Sequence, residues 1–177
     1  MQPPPGNPGE VRRLDWVEFG RACDRLGLVL ASRDIDIVVG VARGGLPLAV
    51  ALAHKLHVRS FGVLHLSRTT SDGAFALDEA ATTIDQGALL PPGRFRHVLL
   101  VEDVVANGVL VHEAERLLLA RYGPDLAISV VTLFADLDGV ARGPVPLLAN
   151  RLLSDQTIDN RRVWITFPWE HEDKDQR

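Results

Sequence analysis

Apolar positions along the chain change period several times, and each change marks an element. Leu14, Val17, Cys23, Leu26 and Leu30 recur at helical spacing, so residues 12–31 read as an amphipathic helix with Asp15 placed to cap it. Ile35–Val41 is a short β-branched run, the pattern of a strand buried on both faces. Gly44-Gly45 breaks it. Leu46–Leu56 then reads as a helix with Pro47 in its first turn, where a missing N–H costs little. Phe61–Leu66, Val98–Val101, Leu126–Phe134 and Val163–Phe167 are further strand candidates, and a helix is expected over about Leu110–Tyr122. Strands alternating with helices predict an α/β fold, a mostly parallel twisted sheet flanked by helices.

The pattern fails between Ser67 and Arg96. That segment carries Thr69-Thr70-Ser71-Asp72-Gly73 and Pro91-Pro92-Gly93 and reads as a flap loop with room for a hairpin. No repeat and no second domain is evident. The expected division is a disordered, proline-rich leader over 1–11, one domain over 12–170 and a charged tail over 171–177.

Composition narrows the class. A 46% hydrophobic chain of 177 residues suits one globular domain. No apolar run approaches the roughly 18 residues of a membrane helix, and the N-terminus lacks a signal-peptide pattern. A formal charge of −4 argues against a nucleic-acid partner. The one cysteine, Cys23, makes no internal disulfide and belongs to no zinc pattern, so a cytoplasmic protein is expected.

Two strand ends carry unusual residues, and parallel sheets bind ligands there. In Val41-Ala42-Arg43-Gly44-Gly45 the glycines would let backbone N–H groups approach a phosphate, and Arg43 adds a fork of donors. The same residues also suit a plain strand-to-helix turn with a solvated arginine. In Val98–Leu110 the acids Glu102-Asp103 follow four apolar residues, and a small-residue loop comes next. Adjacent acids there are costly unless paired. They could accept hydrogen bonds from vicinal hydroxyls or help hold a hydrated Mg²⁺. The alternative is that they cap the next helix.

Residues 98–110 resemble the signature of the type I phosphoribosyltransferases. Val39–Leu52 resembles the pyrophosphate loop of their xanthine-guanine and hypoxanthine branch. Leu14–Phe19 and Val163-Trp164-Ile165-Thr166-Phe167-Pro168-Trp169-Glu170 are similar to that branch as well. The resemblance covers about residues 12–170. It implies the type I fold with a flap and a small C-terminal hood. It implies transfer of phosphoribosyl from 5-phosphoribosyl-1-pyrophosphate (PRPP) to a nitrogenous base, with release of pyrophosphate. Mg²⁺ would be the cofactor, held by Glu102 and Asp103 mostly through PRPP, and the chain would form a homodimer or homotetramer. Glu102 and Asp103 would sit at the ribose hydroxyls, and Ala106, Asn107, Gly108, Val109 and Leu110 would cradle the 5′-phosphate. Ala42, Arg43 and Gly44 would lie at the pyrophosphate, with a cis peptide about Ala42–Arg43. Trp164 would stack on the base and the Ile165 backbone would touch its edge. Arg68, in the flap, would reach the pyrophosphate.

The sequence departs from that branch twice. Oxopurine members carry a third acid where this chain has Ala106, and alanine cannot move a proton. They also place a lysine where this chain has Asp136. A lysine only donates and a carboxylate only accepts, so Asp136 would accept from an amino group or ring N–H of the base. Its other reading is a loop aspartate facing water. Glu102, Asp103, Arg43 and Asp136 are the catalytic candidates, and the expected base is purine-like and amino-bearing or unusual. A competing reading is a non-catalytic PRPP or nucleotide sensor, which Ala106 favours. A hydrolase lacks an activated nucleophile.

Overall fold

The computed structural model describes residues 10–67, 84–143, 151–159 and 163–170. In chain order the elements are β1 (Glu10–Arg13), α1 (Trp16–Leu30), β2 (Ile37–Ala42), α2 (Leu46–Lys55), β3 (Phe61–Ser67), β4 (Ile84–Leu89), β5 (His97–Val105), α3 (Val109–Tyr122), β6 (Ala127–Ala135), α4 (Leu137–Ala141), β7 (Leu152–Thr157) and β8 (Val163–Thr166). The main sheet has six strands in the order β4-β3-β2-β5-β6-β7. All its pairs are parallel except β3 with β4.

The continuous apolar runs of β2 and β5 have a direct cause. Alternate side chains of each strand enter different cores. Val38, Leu99 and Val101 pack with α1 and α2 through Leu26, Leu30, Leu48 and Leu52. Ile37, Val39, Val98 and Leu100 pack with α3 through Val111, Ala114 and Leu118. A strand covered on both faces has no solvent side to make polar. The resulting rigid sheet fixes the carboxyl ends of β2, β5 and β6 side by side.

The expected helix at 12–31 begins at Trp16. Asp15 caps it: its carboxylate accepts from the Glu18 N–H at 2.7 Å, and Glu18 reaches back to the Asp15 N–H. This reciprocal pair satisfies two donors the first turn leaves open. A bidentate pair from Arg25 to the buried carboxylate of Asp155 then ties α1 to β7, with contacts of 2.7 and 2.8 Å.

Two expectations change. Val163–Phe167 is not a strand of the main sheet. β8 pairs with β1 in a separate two-stranded sheet, the hood, with Val11 opposite Trp164 and Arg12 opposite Ile165. Glu10 and Val11, expected in the leader, stand instead in β1, held by that pairing. The edge place in the main sheet belongs to β7, whose polar sequence gave no strand signal. Part of the flap segment forms β4, antiparallel to β3, and Arg68 lies outside the described residues.

An aromatic cluster seats the hood. Phe167 stacks on Trp169 at 4.8 Å and lies 6.0 Å from Phe134, and the Arg12 guanidinium rests 5.3 Å above the Phe134 ring. Phe134 belongs to β6, two residues before Asp136, so the hood is held beside the carboxyl end of that strand.

Candidate active site

β5 is longer than its apolar run. It continues to Val105 because β6 supplies partners as far as Ala135, with Glu102 opposite Thr132 and Val104 opposite Phe134. Glu102 and Asp103 therefore stand inside the strand rather than at its end. Nor do they cap α3, whose N-cap is Gly108. The Thr132 hydroxyl donates to the Asp103 carbonyl at 2.7 Å and steadies this stretch of backbone.

Glu102 is buried and Asp103 half-buried. Glu102 is 5% exposed. Its Oε1 accepts from the Asp103 N–H at 3.2 Å, whereas its buried Oε2 has no hydrogen-bond partner. Asp103 Oδ1 accepts from the Val104 N–H at 2.8 Å. Burial, joined by the neighbouring Asp103 carboxylate, lifts the Glu102 pKa well above its usual range, and burial also raises that of Asp103. A buried carboxylate oxygen without a donor is costly. A ligand bringing hydroxyls or a cation would remove that cost.

The arginine-glycine turn lies against the same acids. The Ala42–Arg43 peptide is cis, and Arg43 is exposed. A Cβ at Gly44 would fall 1.9 Å from Asp103 Oδ2, and one at Gly45 would fall 2.6 Å from the Val101 carbonyl oxygen and 3.0 Å from Glu102 Cα. Two segments far apart in sequence thus share one wall, and the glycines are what let them touch.

The loop after the acids turns at Gly108, whose φ of 77° suits glycine. Asn107 Oδ1 accepts from the Val109 N–H at 3.2 Å. α3 begins at Val109, and the first turn of a helix leaves N–H groups that a phosphate can take.

Asp136 is not a loop aspartate facing water. It is 6% exposed, and its Oδ1 accepts from the Gly139 N–H at 2.8 Å, capping α4. It also lines a cavity of about 380 Å³ together with Asp138, Arg142, Thr157 and Asp159. Trp164 is half-buried and Ile165 is buried, both placed by the hood. A larger cavity of about 520 Å³, near His54, His57 and Arg59, contains none of the candidate residues. The sequence reading missed Thr132, Gly139 of α4 and Gly143 just beyond it. An aspartate after an apolar strand with a second acid two residues on, as in Asp136-Leu137-Asp138, is a helix-start signal that could have revealed α4.

An acidic pair near the carboxyl end of one parallel strand, a glycine turn after its neighbour and a helix-start loop beside them form the kind of site in which α/β proteins take sugar phosphates. Comparison with known proteins gives the family. Residues 21–170 match the phosphoribosyl transferase domain, and the chain belongs to that family. An adenine phosphoribosyltransferase from Clavibacter sepedonicus is 40% identical over 121 residues, 65% of this chain and 61% of that one. The transcriptional regulator GfcR of Methanocella arvoryzae is 24% identical over 145 residues, 75% of this chain and 69% of that one. Among solved structures, a purine phosphoribosyltransferase from Pyrococcus horikoshii superimposes with a TM-score of 0.68 at 21% identity, covering 92% of this chain and 96% of that one. The fold is the type I phosphoribosyltransferase fold, and the family is one of PRPP-dependent pentosyltransferases.

Proposed function

We propose that this chain transfers the 5-phosphoribosyl group of PRPP to a purine-like base bearing an amino group, releasing pyrophosphate. The contact of Gly44 with Asp103, next to the buried Glu102, carries the reading, because it joins a pyrophosphate-type turn to a diol-type acid pair. Glu102 and Asp103 would receive the ribose hydroxyls. Ala106 through Leu110 would take the 5′-phosphate, and Ala42, Arg43, Gly44 and the flap residue Arg68 would take the pyrophosphate. Magnesium suits the site, since Glu102 offers a buried oxygen with no donor and hard cations take oxygen ligands. Bound mostly through PRPP, Mg²⁺ would neutralise charge on the departing pyrophosphate.

In the reaction, the bond from the anomeric carbon to the pyrophosphate oxygen breaks and its electron pair leaves with pyrophosphate. A ring nitrogen of the base forms the new bond and gives up its proton, which passes to Asp136 or to the departing pyrophosphate. Arg43 stabilises the leaving charge with preplaced donors. Trp164 would stack on the base, the Ile165 backbone would meet its edge, and Asp136 would accept from its amino group or ring N–H. The acceptor-rich cavity beside Asp136 supports that polarity, as does the likeness to adenine phosphoribosyltransferases.

The cytoplasm is the proposed compartment and a homodimer or homotetramer the proposed assembly. No helix among the described residues is long and apolar enough to cross a membrane. The buried Cys23 thiol, pushed by desolvation up to about 11, fits a structural role. The likeness to GfcR and the alanine at position 106 favour a second reading, a PRPP or nucleotide sensor without catalysis. Steady-state turnover with Mg²⁺, PRPP and a panel of bases tests the base assignment. Adenine-like bases are expected to exceed guanine and hypoxanthine in kcat/KM by at least about tenfold, roughly one lost hydrogen bond to a charged group. Efficient conversion of guanine or hypoxanthine would sink it.

A further inference from the structure

Helix α4 has only five residues, Leu137–Ala141, yet it lies flush against the candidate phosphate loop. A Cβ at Gly139 would sit 2.0 Å from the Ala106 carbonyl oxygen, and one at Gly143 would sit 1.9 Å from that of Asn107. Neither glycine has a positive φ, so close approach, not backbone conformation, excludes a side chain there. Consecutive carbonyls of the loop therefore rest on the middle of one short helix and on the turn just past its end.

That helix is fixed at three points. The Asp136 carboxylate accepts from the Gly139 N–H at 2.8 Å, and the Asp136 N–H donates to the Val105 carbonyl at 3.0 Å. Val140 is fully buried in the same core as Val105 and Val111, which flank the loop. At the far end the Gly143 N–H donates to the Val140 carbonyl at 3.0 Å. A five-residue helix is too short to be stable by itself. Without its cap it would fray, and the backing of Ala106 and Asn107 would go with it.

We propose that α4 braces the phosphate loop, with Asp136, Gly139 and Gly143 as positioning residues for the 5′-phosphate of PRPP. The idea rests on the phosphoribosyl-transfer reading and adds to it a duty of Asp136 separate from any contact with the base. One oxygen of its carboxylate closes the cap, so the residue links the base side of the site to the phosphate side. The brace acts on backbone N–H groups that a phosphate must find already aligned, since misplacement of such groups weakens binding without removing any of them.

Calorimetric titration of the full chain tests this with two probes, ribose 5-phosphate and magnesium pyrophosphate. Asp136→Ala and Gly143→Ala are expected to weaken ribose 5-phosphate binding by about tenfold or more, and to leave pyrophosphate binding within about twofold of the parent protein. Asp136→Asn keeps an oxygen that can accept from the Gly139 N–H, and is expected to bind ribose 5-phosphate nearly as the parent does. Three results would overturn the brace. One is unchanged ribose 5-phosphate affinity in both Asp136→Ala and Gly143→Ala. Another is equal loss of both probes. The third is an Asp136→Asn variant as weak as Asp136→Ala. Failure of the underlying reading looks different: the parent protein binds both probes but releases no pyrophosphate from PRPP with any base.

Discussion

Asp103→Asn lowers kcat/KM with PRPP by about two to three orders of magnitude, roughly 3–4 kcal/mol of lost transition-state stabilisation. The size follows from where the carboxylate stands. It is half-buried beside the buried Glu102, backed by the Val104 N–H, and pressed against Gly44. A hydrogen bond to a charged group in such a place contributes about 1.5–3 kcal/mol, and an amide brings a donor where the ribose diol needs only acceptors. Glu102→Gln has a second signature. Its pKa in the folded protein is raised by burial and by Asp103. Between the unfolded and folded pKa values, the folded chain keeps a proton that the unfolded chain has lost. Stability of the ligand-free protein therefore falls as pH rises from about 4 through that window, then levels off above the folded value. Glu102→Gln flattens this decline and raises stability at neutral pH by on the order of 1 kcal/mol, while turnover drops. Urea unfolding at a series of pH values, set beside activity, checks both. A variant less stable than the parent at neutral pH would show that the carboxylate is not strained in the ligand-free site.

Gly44→Ala is expected to cost at least about a hundredfold in kcat/KM with little loss of stability. The new methyl would stand 1.9 Å from Asp103 Oδ2 and 2.5 Å from its Cγ, so the carboxylate must move. Asp103 can yield by turning its partly exposed carboxylate away from the Val104 N–H, which spares the fold but takes the carboxylate from its place in the site. The adjacent Gly45→Ala is the contrast. There the methyl meets backbone, at 2.6 Å from the Val101 oxygen and 2.8 Å from the Val41 oxygen, and overpacking against rigid atoms costs about 1–3 kcal/mol of stability. Thermal unfolding with PRPP titration separates the two. If Gly44→Ala keeps the parent's PRPP affinity and turnover, the turn and the acid pair are not one site.

The main sheet was readable in the chain because its central strands are covered twice. Ile37–Ala42 and the start of β5 feed two cores and so run apolar without a break. Helix α1 was readable because its cap is local, Asp15 with Glu18. What escaped notice depends on partners distant in sequence. Glu10–Arg13 has no apolar rhythm and is a strand only because β8 lies beside it. Leu152–Thr157 carries Ser154, Asp155 and Gln156 because it is an edge strand, and Asp155 is spent on Arg25. The acid pair showed in the sequence through its cost, two charges following an apolar run. Asp136 did not resolve, since an aspartate after a strand looks the same whether it meets a base, water or a helix end. Only packing shows that it caps α4 and is buried.

Pyrophosphate release is the most direct test of the central claim. The purified chain is mixed with Mg²⁺, PRPP and a single base from a panel of amino-bearing and oxo heterocycles, and both pyrophosphate and nucleotide are quantified. The account predicts equal amounts of the two with at least one amino-bearing base, and neither product from Asp103→Asn on the same timescale. Tight binding of PRPP with no pyrophosphate released for any base in the panel would contradict it.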